Sequence, residues 1–208
     1  MASTEPLRAG AAPGAQKKLA HIVLQTGQLA VLRDWYLKVL DAHVVFENDM
    51  LSFMTFDEEH HRLGLVQLPQ PAPRTSMTVG LAHSAYTFES LDSLLAKYAA
   101  LKEADIQPHV PVQHGPTTSL YYCDPDGNMV ELQIDNMAPD EATQYLRGEE
   151  YSSDPLGPSF DPDTMLAALR AGTPESELTT RSWAMTCWRS PSMGVMRSIW
   201  NPRSTVAP

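Results

Sequence analysis

With 208 residues, 43% of them hydrophobic, the chain is long enough for one domain with a real core and short tails. A formal net charge of −10 sets aside a general nucleic-acid binder, which carries a basic patch. Two cysteines without CxxC spacing set aside a disulfide framework, and no run of about 18 apolar residues offers a membrane span.

Residues 1–16, rich in Ala, Gly and Pro, read as a disordered leader without an apolar stretch of signal-peptide length, so a soluble cytoplasmic protein is the expectation. Leu19 to Thr26 (LAHIVLQT) reads as a strand carrying His21. Leu29 to Leu40 places apolar residues at helical spacing. Short strands follow at Ala42 to Glu47, Leu51 to Phe56 and Arg62 to Leu68, the first two joined by a turn at Asn48 and Asp49. Pro69 to Pro73, with three prolines in five residues, is a linker.

The pattern then repeats. Thr78 to Phe88 is a strand carrying His83, and Ser90 caps a helix whose apolar face holds Leu91, Leu94, Leu95, Tyr98 and Leu101. An extended piece lies around Ile106 to Pro111. Ser119 to Cys123 and Met129 to Ile134 read as paired strands joined by the turn Asp124 to Asn128, in which Gly127 is free to take a positive φ. Beyond residue 135, Pro139 to Leu146 is a short helix, Tyr151 to Ser159 a loop, and Asp161 and Pro162 open a helix running through Thr164 to Arg170. No period is legible from Arg181 to Pro208.

The expected fold is therefore α+β: two paired β-α-β-β-β modules forming a half-open barrel around a metal site, with a helical C-terminal extension. Its parts are the leader 1–16, a paired domain 17–135 (module one 17–68, module two 77–135), the extension 136–180 and a poorly ordered tail 181–208.

His21 and His83 sit at matching places in the two repeats, so a pseudo-twofold axis would bring them to one cavity, and Glu131 lies on a strand that should line it. Two imidazoles and one carboxylate with open positions suit non-haem iron(II), and manganese(II) as well. Either histidine alone would be read as a core residue. Alternation puts Met129, Glu131 and Gln133 on one face, which fits either solvent or a polar cavity.

The segment His114 to Leu132 (HGPTTSLYYCDPDGNMVEL), with His114, Ser119, Tyr121, Pro125 and Glu131 in order, resembles the closing motif of the type I extradiol dioxygenases of the vicinal-oxygen-chelate superfamily. EHHRLGL (Glu59 to Leu65) resembles the family's double-histidine motif, and GLAHSAY and LAHIVL resemble the strands bearing its metal histidines. The likeness covers roughly residues 17–135, and with room for only one paired module the chain is closest to one-domain members. It implies an enzyme that cleaves a catechol or biphenyl-type ring beside its vicinal hydroxyls with dioxygen, with His21, His83 and Glu131 holding iron(II). It further implies that His61 is the acid/base and that Tyr121 and His114 hydrogen-bond the substrate oxygens. His60, among acidic neighbours, is left outside the site, one of Tyr121 and Tyr122 only packs, and His43 and His109 have no motif partner.

Two other functions compete: a glyoxalase-type isomerase or transferase on the same fold, and a metal-free ligand-binding protein of the bleomycin-resistance kind. A glyoxalase-type site takes a further ligand from the last strand of module one, where only Gln67 is available. Exposed sheet edges lead to the expectation of a homodimer, with no nucleic-acid or membrane partner.

Overall fold

The structure is a computed structural model that describes residues 18–72 and 79–187; the leader and residues 188–208 lie outside it. Module one runs β1 (Ile22–Thr26), α1 (Leu29–Leu40), β2 (His43–Glu47), β3 (Leu51–Thr55) and β4 (Leu63–Gln67). Module two runs β5 (His83–Thr87), α2 (Leu91–Glu103), β6 (Val110–Gln113), β7 (Thr117–Cys123) and β8 (Met129–Asp135). The sheets have the same topology, β1-β4-β3-β2 and β5-β8-β7-β6. In each, the first strand pairs parallel with the last and the remaining pairs are antiparallel. The repeat inferred from sequence is thus a repeat of structure.

One core serves both modules. Leu32, Tyr36 and Val39 of α1 pack in one cluster with Leu94, Leu95 and Leu101 of α2 and with Leu63, Leu65, Leu120 and Leu132 from the sheets. Each fully buried side chain of this size contributes about 1.5–3 kcal/mol of transfer free energy. Ser90 and Ser93 form a reciprocal capping box at the start of α2. At the start of α1 the side-chain oxygen of Gln67 accepts from the Leu29 amide at 2.9 Å. Lys97 ties the helices together, donating to the Lys38 carbonyl and pairing with Asp41, both at 2.6 Å.

The extension holds α3 (Pro139–Leu146), α4 (Glu149–Ser153), α5 (Pro162–Arg170), α6 (Glu175–Leu178) and α7 (Arg181–Cys187). Asp161 caps α5 as its sequence indicates, accepting from the Asp163 amide at 3.1 Å. Phe160, Met165, Leu178 and Ala184 join the shared core. The extension also covers the exposed edge of sheet two: the Gln113 amide donates to the Pro158 carbonyl at 2.9 Å, and Val112 bridges Ser159.

Several sequence-derived boundaries need correction. Order does not end at Arg181, because α7 docks by burying Arg181 and Ala184, contacts that leave no local period. α4 occupies the start of the expected loop 151–159, and α6 was not anticipated. β6 falls at 110–113 rather than 106–111, since its span is set by pairing with β7 and its Pro111 is tolerated on an edge. β1 begins at Ile22, so His21 stands one residue before the strand, and β5 begins at His83.

Candidate metal centre and its cleft

Sheet two positions the polar residues by alternation. Tyr122, Val130 and Leu132 face the helical core, whereas Tyr121 belongs to a second, smaller cluster with Val110, Val112 and Met129. Tyr121 stands opposite Glu131 in the β7–β8 register, and Ala85, two residues after His83, stands opposite Glu131 in the β5–β8 register. Since side chains two apart share a face, His83, Glu131 and Tyr121 lie together on the face away from the helices. Glu131 does not face solvent: it is only 4% exposed.

His83 Nε2 and Glu131 Oε2 lie 3.1 Å apart. Hydrogen bonding to Glu131 raises the His83 pKa above its ordinary value. Burial pushes Glu131 up, but hydrogen bonds from His83 and Ser119 outweigh it and keep the carboxyl below its ordinary value. Tyr121 is driven upward by burial and then by the charge of Glu131. His114 sits in the tight β6–β7 hairpin, its Nε2 3.0 Å from the Tyr121 hydroxyl, and burial lowers its pKa. Gly115, at φ +101°, lets the Tyr145 ring seat against this hairpin; a Cβ there would stand 2.5 Å from the ring.

Module one supplies a stack of rings. His61, in the β3–β4 hairpin, lies between Phe53 (4.8 Å between centroids, 19° between planes) and His21 (4.2 Å, 29°). Burial, then the neighbouring His21 and His60, lower the His61 pKa. The side chain of His60 is 70% exposed, and its Nδ1 lies 2.6 Å from the His61 Nδ1. Arg62 fastens the segment leading to His21, donating to the carbonyls of Leu19 at 2.7 Å and Ala20 at 3.1 Å.

His21 and His83 line one cleft of about 470 Å³, between Leu19 to Ile22 and Arg62 on one side and His83 to Thr87 on the other. That volume suits a small organic ligand. The structure brings His83 and Glu131 into contact and joins Tyr121 to His114, while His21 remains stacked on His61. Among the described residues no three His, Cys, Asp or Glu side chains stand close enough to hold a metal ion as they are arranged.

The residues nevertheless fit a divalent ion. Glu131 is a buried anion aimed at an imidazole, and the Nδ1 of His83 is buried with no hydrogen-bond partner. Leaving such an atom unsatisfied costs about 1–3 kcal/mol, so the ring is not held by a second protein partner. Gln67, the one further ligand a glyoxalase-type site could draw on, is engaged at both ends of its amide: its oxygen caps α1 and its nitrogen donates to the Leu68 carbonyl at 3.0 Å.

What sequence reading missed lies in the extension. Tyr145 and Arg181 both reach the His114 hairpin. The run Asp154-Pro155-Leu156-Gly157-Pro158 is the local turn signal nearby. Among the described residues no helix is long and apolar enough to cross a membrane.

Residues 18–132 match the Glyoxalase/Bleomycin resistance protein/Dioxygenase superfamily. The chain is 55% identical over 188 residues to biphenyl-2,3-diol 1,2-dioxygenase 3 of Rhodococcus globerulus, covering 89% of this chain and 97% of that protein. It is 56% identical over 173 residues to biphenyl-2,3-diol 1,2-dioxygenase 2 of the same organism, covering 82% and 91%. Among solved structures, lactoylglutathione lyase from Agrobacterium tumefaciens is similar at 19% identity and a TM-score of 0.48, over 57% of this chain and 94% of that one.

Proposed function

The chain belongs to the glyoxalase/bleomycin resistance protein/dioxygenase superfamily, and from that membership we propose that it is an extradiol dioxygenase, opening the ring of a biphenyl-2,3-diol-type catechol beside its hydroxyl pair. The ring carbon–carbon bond next to the diol breaks, the diol is oxidised, dioxygen is reduced, and both oxygen atoms end in the ring-opened product. The observation that carries this reading at the site is the buried, ionised Glu131 against His83, which lines one cleft together with His21.

His21, His83 and Glu131 would hold the metal, iron(II) by family and manganese(II) as the other ion the donor set suits. When bound, such an ion acts as a Lewis acid that eases loss of the catechol proton and gathers the diol and dioxygen at one centre. His61, kept neutral at pH 7 by its lowered pKa, is ready to take that proton at a ring nitrogen. Tyr121 and His114 lie on the Glu131 side, where they would hydrogen-bond the diol oxygens and fix the ring's orientation. The engagement of Gln67 at the start of α1 weighs against the isomerase reading. Strand β2 is exposed along its length, with Val45 at 51% and Phe46 at 48%, and is the edge on which a homodimer would pair.

The test is anaerobic loading with iron(II), then addition of 2,3-dihydroxybiphenyl and air. Coloured ring-cleavage product and oxygen uptake are expected, both lost in His21→Ala and Glu131→Ala. Stoichiometric metal without product would contradict the reaction, and absence of metal binding would contradict the site.

A further inference from the structure

His21 and His83, counterparts in the sequence repeat, are held in different ways. His83 is the first residue of β5 and pairs with the buried Met129 of β8. His21 stands before β1 in an exposed segment, so the sheet ladder does not fix it. Ordering a loose segment when a ligand binds costs conformational entropy, which a backbone set in advance avoids.

Continuing the β1–β4 register one step back sets Arg62 opposite His21, the place that Met129 holds opposite His83. A guanidinium in place of a thioether supplies the missing hold. Arg62 Nη1 donates to the Leu19 carbonyl at 2.7 Å and to the Ala20 carbonyl at 3.1 Å, the two residues just before His21. Its Nε donates to Asp57 Oδ2 at 2.9 Å, and Asp57 Oδ1 accepts in turn from the Glu59 amide at 3.0 Å. The Arg62 carbonyl accepts from the Ile22 amide at 3.1 Å. One residue therefore ties the hairpin that carries His61 to the segment that carries His21, and those two rings stack with centroids 4.2 Å apart. The task needs a planar fork, because Nε and Nη1 serve a carboxylate and two carbonyls at once, as a single ammonium cannot. With side chains 20% and 27% exposed, the Arg62–Asp57 pair adds little to stability. Its value lies in where it puts His21.

We propose that Arg62, oriented by Asp57, is the positioning residue for His21, fixing its backbone at the cleft and so raising the affinity for a divalent ion. The clamp acts on the backbone and leaves the ring free to exchange its stack on His61 for an ion. The effect on metal rests on the reading of His21 as a ligand, whereas the hold on His21 does not.

The experiment has two parts, both on the full chain. In the first, metal-free protein carries ¹³C-labelled histidine, with the His21 ring signals assigned by their loss in His21→Ala. Arg62→Met should shift the His21 and His61 ring signals while those of His43 and His114 stay in place. Unchanged His21 signals in Arg62→Met overturn the proposal. In the second, iron(II) alone is titrated anaerobically into the metal-free protein. Arg62→Met should weaken its binding about ten- to hundredfold, the usual worth of a group that orients a ligand. Placed in His21→Ala, the same substitution should weaken binding no further. Equal losses in both backgrounds overturn the proposal, because Arg62 would then act on something other than His21. Arg62→Lys should recover at most part of the wild-type signals and affinity. If Arg62→Met does not fold, Arg62→Lys carries the test, and wild-type His21 signals there overturn the clamp. His21→Ala that binds iron as tightly as wild type would count against His21 as a ligand alone, and the ring signals would then decide the clamp.

Discussion

At the scale of the residue, the pair His83–Glu131 dominates the site's electrostatics. In the metal-free protein His83 is raised from 6.5 chiefly by its hydrogen bond to Glu131, so its contribution to stability is full below about pH 6.5 and is lost as pH rises through the folded value. Glu131 ends below 4.5, burial being outweighed by hydrogen bonds, so its contribution is full above about pH 4.5 and is lost as pH falls through the depressed value. Urea titrations of the metal-free wild type and Glu131→Gln should therefore differ most between about pH 4.5 and 6.5, with the gap closing in alkali; a gap that widens from pH 7 to 9 would contradict the pairing. His61 is a different case, since it sits in the ring stack and the role proposed for it is proton transfer. His61→Asn should keep bound iron while kcat falls by about 10²–10⁴, the usual worth of a positioned acid/base. Loss of iron instead would make His61 a ligand.

At the scale of the element, the modules follow from their own patterns. The helical spacing of Leu29–Leu40 reads true to the residue, and so does the Ser90 cap, because both are local. The edge strand β6 and the start of β1 were misplaced because their limits are fixed by pairing partners far along the chain. The extension was the least legible part. Gly157 shows why: at φ +80°, a Cβ there would come 2.0 Å from the Gln113 carbonyl oxygen. That is a tertiary contact between residues more than forty positions apart. Gly157→Ala should cost at least about 1–3 kcal/mol for the backbone conformation alone. It should also lower kcat by displacing Gln113 and the His114 hairpin that follows it. Chemical denaturation and steady-state assay check both, and wild-type values in each would show that the extension does not press on this hairpin.

At the scale of the whole molecule, the repeat was legible in the sequence, since the two sheets have identical topology. The face of Glu131 was left open, because alternation cannot distinguish solvent from a polar interior; the structure buries it beside His83. The sequence did not reveal the stack of His21 on His61, which depends on rotamers rather than on order along the chain. Insertion of dioxygen into an aromatic diol at this cleft is tested most directly by mass analysis of the product formed from 2,3-dihydroxybiphenyl under ¹⁸O₂ by the iron-loaded protein. A ring-opened product carrying two heavy oxygen atoms before exchange with water is the predicted result. A ring-opened product with no heavy oxygen, or an intact ring beside a fully metal-loaded protein, would contradict it.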